Sequence, residues 1–110
     1  MREITRIFDL LDLFRDRFSS VDNLFNIKRN DQWVSFSAAD YVRLSDQFSL
    51  GLIALGVKPG TRIATVMNNC PEWNFIDMGI LQAGAVQVPV YPTISEENYR
   101  YILNDAGVEI

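Results

Sequence analysis

The chain contains no histidine, only two lysines (Lys28 and Lys58) and a single cysteine, Cys70. Each scarcity closes off a class of chemistry. Without histidine there is no imidazole general base, and no Ser-His or Cys-His nucleophile pair can form. One cysteine and no histidine cannot supply the donor set of a zinc site. A lone cysteine has no internal disulfide partner, and the first residues, Met-Arg-Glu-Ile-Thr-Arg, do not read as a basic-apolar-small leader; a reducing, cytoplasmic setting is the expectation. No apolar run approaches the ~18–20 residues that cross a bilayer. Cations are also short: eight scattered arginines and two lysines leave a net charge of -4, and no basic cluster that nucleic acid would require.

What is present is ordinary globular material, 48% hydrophobic and 22% charged over 110 residues, enough for one compact domain. Between Thr5 and Phe18, the residues Ile7, Leu10, Leu11, Phe14 and Phe18 recur at helical spacing, with Asp9, Asp12, Asp16 and Arg17 on the other face. That polar face is as acidic as it is basic, which favours docking on a domain over lying on a membrane. Leu24–Arg29 and Gln32–Phe36 alternate around the turn residues Asn30-Asp31, the pattern of a β-hairpin. Ser37 and Asp40 form a capping box, with Phe36 and Tyr41 as a staple. They open a helix whose expected buried stripe is Tyr41, Leu44, Phe48, Leu52 and Leu55, ended by Gly56. Asp40, Arg43 and Gln47 are expected to face water.

Pro59-Gly60 then suits a type II turn. Beyond it the pattern reads strand (Arg62–Met67), helix (Glu72–Ala83 with Pro71 at its first position), strand (Val86–Val90), helix (capped by Ser95, stopped by Gly107) and the opening of a third strand, Val108–Ile110. The last helix presents Tyr99, Ile102, Leu103 and Ala106 as its core face, with Ile94 and Tyr99 as its staple. Short connections between such elements predict right-handed βαβ units and a parallel sheet. The fold class is therefore α/β: an amino-terminal helix and hairpin (residues 1–36), then a helix and a βαβαβ portion (residues 37–110). Two and a half strands do not make a covered parallel sheet, so the chain reads as an incomplete part of a larger domain.

Few of these residues suit catalysis. The loop after the first parallel strand, Asn68-Asn69-Cys70-Pro71, lacks the glycines of a dinucleotide fingerprint. Gly79 and Gly84 have the spacing of Walker A glycines, but no Lys-Ser/Thr follows; Gly79 reads as a close-packing position in a buried helix. Cys70, at a helix start, reads as a small buried residue, and Glu96-Glu97 as first-turn acids complementing a helix dipole. Trp33, Trp73, Tyr91, Tyr99 and Tyr101 are expected in the core. No catalytic, cofactor-binding or metal-binding residue is assigned.

The run Gly51-Leu-Ile-Ala-Leu-Gly-Val-Lys-Pro-Gly-Thr-Arg-Ile-Ala-Thr-Val-Met-Asn-Asn-Cys-Pro-Glu-Trp73, followed by Gly79-Ile-Leu-Gln-Ala-Gly-Ala-Val-Gln-Val-Pro-Val-Tyr-Pro-Thr93, resembles the amino-terminal region of the adenylate-forming superfamily. Asn-Asn-Cys-Pro-Glu-Trp paired with Val-Pro-Val-Tyr-Pro-Thr is similar to its long-chain acyl-CoA ligase branch, and Phe-Ser-x-x-Asp-Tyr at 36–41 fits as well. The resemblance covers nearly the whole chain and is weakest over residues 1–20. It implies a parent several times longer that activates a fatty acid with ATP and magnesium to an acyl-adenylate, then transfers the acyl group to coenzyme A. The phosphate loop and the carboxy-terminal lysine of that family have no counterpart here, so the resemblance implies a scaffolding role and no activity for the chain alone. Its implied partners are the remainder of the parent chain and, for the parent, fatty acid, ATP and CoA, with the parent at most peripheral at a membrane. Self-association through an exposed sheet edge and a self-contained α/β ligand-binding module are the competing readings.

Overall fold

A computed structural model describes residues 3–110, so the leader reading rests partly on residues outside the described ones. The element order is a 3-10 turn (Ile7–Asp9), α1 (Leu10–Arg17), β1 (Phe25–Arg29), β2 (Gln32–Phe36), α2 (Ala38–Ala54), β3 (Arg62–Val66), α3 (Pro71–Gln82), β4 (Val86–Val90) and α4 (Glu96–Asp105). β1 and β2 pair antiparallel from Phe25↔Phe36 to Arg29↔Gln32, and β3 pairs parallel with β4 from Arg62↔Val86 to Val66↔Val90. The α/β class and the order of the elements follow the sequence pattern. The hairpin turn does too, because Asn30 and Asp31 both take positive φ (49° and 60°), as a type I′ turn demands.

Two apolar clusters share α2 and α3. One gathers Leu11, Tyr41, Val42, Phe75 and Met78 beneath the hairpin, where the Phe75 ring meets Phe25, Phe36 and Tyr41 at centroid separations of 5.6, 5.2 and 5.8 Å. The other joins Leu52, Val57, Ile63, Ile80 and Ala85 between the two helices and the parallel pair. α3 is therefore buried against more than one partner, as its nearly all-apolar surface requires.

Several expectations are corrected. The first helix does not run from Thr5: it starts as the 3-10 turn, and Asp9 on its supposed wet face is buried, 3% exposed. Asp9 accepts from the backbone N–H of Thr5 (3.1 Å) and of Arg6 (2.9 Å) and pairs with the Arg6 guanidinium at 2.8 Å, bonds that close the first turn; Ile7 and Phe18 are exposed. On α2 the buried line is Ala38, Tyr41, Val42, Ser45, Ser49 and Leu52, with Leu44 and Phe48 half-buried. Leu55 is 82% exposed because it is the C-cap, where the chain turns away through Gly56. Trp33, Tyr91 and Tyr101 are exposed and not core. Each sits on a hairpin, a loop or a helix face that no other element covers, and aromatic character alone does not say which face is buried.

Residues 108–110 form no regular strand, yet they lie along the free side of β3. The Ile110 N–H donates to the Arg62 carbonyl (3.4 Å) and its carbonyl accepts from Ala64 N–H (2.8 Å), the bonding of one parallel bridge. β3 is thus central. β4 is an edge: Val86 N–H points inward to the Thr61 carbonyl, so alternation turns Gln87 and Pro89 outward, and proline offers no donor there.

Candidate functional site

In open parallel sheets ligands lie beyond the carboxyl ends of the strands. Here those ends carry two loops, 67–70 after β3 and 91–95 after β4. Pro71 fixes the start of α3: it occupies the first helical position, where a missing N–H costs nothing, and Cys70 stands extended before it (φ -158°, ψ 163°). The second loop is closed by Ser95, whose hydroxyl accepts from Asn98 N–H at 3.2 Å. Above it, the Tyr99 hydroxyl donates to the Tyr91 carbonyl at 3.0 Å.

Between the loops lies a cleft of about 310 Å³ lined by Met67, Asn69, Trp73, Pro89, Val90 and Tyr91. Its walls are largely apolar and aromatic, with hydrogen-bonding groups on Asn69, Trp73 and Tyr91. Asn69 and Trp73 also line an adjoining cleft of about 400 Å³, toward Phe25, Asn26 and Ile27 of the hairpin. An ion pair ties the hairpin to the first turn of α3: the Arg29 guanidinium reaches both oxygens of Glu72 at 2.7 and 2.8 Å. Burial opposes the charge on Glu72, but the Arg29 bond and the backbone hydrogen bond at the helix start outweigh it and hold the carboxyl below its usual range.

No lysine or arginine lines the cleft between the loops, so it has nothing to neutralise a phosphate. It can hold a flat or aliphatic group and offer it hydrogen-bonding partners. Among the described residues no three His, Cys, Asp or Glu side chains gather to hold a metal ion. The lining of the cleft itself offers magnesium no carboxylate.

The structure separates the residues weighed from sequence. Cys70 is half-buried at the lip of the hairpin-side cleft. Glu96 is exposed on α4 and pairs with Arg100 at 3.0 Å, and Glu97 is exposed beside it. Gly79 lies in the α2–α3 contact, where a β-carbon would stand 2.8 Å from Phe48 Cδ1, and Gly84 takes positive φ at the end of α3. Neither the missing glycines nor Cys70 at the helix start points to the pairing of the 68–71 loop with Tyr91. The available signal was an aromatic residue on each side of the two strand ends, Trp73 and Tyr91.

A family model described as "AMP-binding enzyme" matches residues 15–110. The long-chain-fatty-acid–CoA ligase heimdall of Drosophila melanogaster is 36% identical over 74 residues, 67% of this chain and 11% of that protein. The human long-chain-fatty-acid–CoA ligase ACSBG1 is 31% identical over 103 residues, 94% of this chain and 14% of that protein. Among solved structures, IdnL1 superposes with a TM-score of 0.86 at 13% identity, over 97% of this chain and 22% of its own. A putative long-chain-fatty-acid CoA ligase from Rhodopseudomonas palustris gives 0.79 at 20% identity, over 94% and 25%. At such identities the structural likeness is one of fold, and the chain spans only a small part of every relative named. Matched over all but its first residues, the chain belongs to the AMP-binding enzyme family.

Proposed function

We propose that this chain is the amino-terminal part of an ATP-dependent long-chain fatty-acid–CoA ligase, with a structural role and no activity of its own. The observation that carries the reading is the relation to the human ligase: 94% of this chain aligns at 31% identity with 14% of that protein. The parent would join fatty acid and CoA, converting ATP to AMP and pyrophosphate, with magnesium bound outside these residues. Residues 1–36 and 37–110 would together form one edge of its large domain, and the parent would work in the cytoplasm or as a peripheral protein at a membrane.

The surface supports such a role. Leu50 and Ile53 are exposed one turn apart on α2, and Leu55, its exposed C-cap, shares a groove with Ile110. Apolar area of this kind needs a cover, and the remainder of the parent is the partner proposed for it. Pro89 on the outer edge of β4 argues against a second copy of the chain pairing along that edge. A self-contained ligand-binding module is disfavoured by the small share of each relative that the chain spans.

The test is fatty-acid-dependent ATP–pyrophosphate exchange. The isolated 110-residue chain is expected to give none, and the polypeptide read through past Ile110 is expected to give it. Exchange by the chain alone would refute the structural role; failure of the longer polypeptide with every chain length of acid would refute the ligase.

A further inference from the structure

We propose that α4 is a latched flap, opening as one unit over the second face of the parallel sheet and loosening the Tyr91 wall of the cleft when it does. Two right-handed crossovers that step in opposite directions from β4 place α3 and α4 on opposite faces of the sheet. α3 takes the face of Ile63 and Thr65; alternation puts Ala64, Val66, Val86, Val88 and Val90 on the other. Val90, beside loop 91–95, is buried on that face, but Val66 and Val86 are each 47% exposed. Among the described helices α4 alone has no buried residue. Its inward side chains, Tyr99, Ile102, Leu103 and Ala106, are all only half-buried and belong to neither apolar cluster.

The attachments of α4 are correspondingly few. The Ser95 cap and the Glu96–Arg100 pair stabilise the helix without holding it to the body. The bond from the Tyr99 hydroxyl to the Tyr91 carbonyl is its one side-chain tether to another segment among the described residues. At the far end Gly107 ends the helix at positive φ (63°), and a β-carbon there would stand 2.7 Å from the Arg62 guanidinium. Little apolar burial and few outside hydrogen bonds define a segment that opens below the free energy of global unfolding. The latch ends on the residue that walls the cleft, so opening and a looser loop 91–95 are one event.

Amide hydrogen exchange of the 110-residue protein, resolved by mass spectrometry, tests this. Amides of 96–105 are expected to exchange on the order of 100-fold faster than those of α2 and α3. Tyr99→Phe, which keeps the ring and removes the hydroxyl, should speed exchange across 91–105 a further two- to tenfold, roughly the weight of one hydrogen bond, and leave α2 and α3 unchanged. Protection of α4 equal to that of α3 overturns the proposal. So does a Tyr99→Phe effect that is nil, or one that spreads equally over α2 and α3.

Discussion

The hydroxyl of Ser49 donates to the carbonyl of Gly79 at 2.7 Å, a direct bond between the two central helices. So close an approach requires that Gly79 carry no side chain. A β-carbon there would stand 2.8 and 2.9 Å from Cδ1 and Cβ of Phe48 and 3.1 Å from the Ser45 carbonyl. The Phe48 Cβ and the Ser45 backbone cannot swing aside as a flexible side-chain tip would. Alanine normally stabilises a helix interior relative to glycine by about 1 kcal/mol. Here the overlap costs more, of order 1–3 kcal/mol, so Gly79→Ala is expected to lower stability in urea denaturation. A higher midpoint would show that the helices separate freely.

Asp9 gives the fold a pH dependence of definite sign. The Arg6 side-chain bond is the largest influence on its carboxyl; burial opposes it, and the backbone N–H groups of Arg6 and Thr5 add to it, so the pKa lies well below the usual carboxylate value. A pKa depressed by folding stabilises the native state above the unfolded value, near 3.9, and that contribution is lost as pH falls through the folded value. Asp9→Asn should therefore lower the melting temperature at pH 7 and flatten its fall below about pH 4. Thermal melts from pH 7 to pH 2 measure both. A variant curve parallel to that of the parent sequence would mean that the carboxylate contributes nothing.

The same residue marks where the sequence could be read and where it could not. Hairpin turn, capping box and helix-ending glycines are local: each follows from two to five neighbouring residues and a fixed backbone requirement. Asp9 reads locally as a surface acid, and only its position between Thr5 and Arg6 in the folded turn buries it. Leu55 fits the helical period but falls one residue past the end of α2, where period no longer determines direction. The cleft needed contact between loops 20 residues apart in sequence, and no spacing rule ties Met67 to Tyr91. The family was legible because two long runs carry it.

Asp77 is expected to behave in the opposite way to Asp9. Burial raises its pKa, and the same negative charge contributes to pushing Tyr41, whose own burial is the larger cause, up to about 12. A carboxyl whose pKa is raised by folding favours the native state at low pH, and that contribution is lost as pH rises through the folded value. At pH 7 the charge is a burden, so Asp77→Asn should raise the melting temperature there and lose its advantage toward pH 4. The phenol of Tyr41 should also titrate lower in the variant, followed by ultraviolet absorbance. A melting temperature lowered at pH 7 would show that Asp77 has a favourable role in the fold.

Ser37 and Asp40 offer a test of how α2 is started. The Ser37 hydroxyl accepts from Asp40 N–H at 2.9 Å, and Asp40 accepts in return from Ser37 N–H at 3.0 Å. The Arg43 guanidinium bonds the other Asp40 oxygen at 2.9 Å. Backbone donation from Ser37 is the largest cause holding the Asp40 carboxyl below its usual range, followed by Arg43. Ser37→Ala removes one of the two reciprocal bonds but keeps its own N–H for Asp40, so it should cost about 1 kcal/mol. Asp40→Ala removes the other bond and strands the Ser37 N–H. If the two halves act as one cap, the double variant loses less than the sum of the single losses, because either change alone already frees the turn. Strict additivity in urea denaturation would mean that the two bonds are independent, and that α2, long and buried on one face, needs no cooperative start.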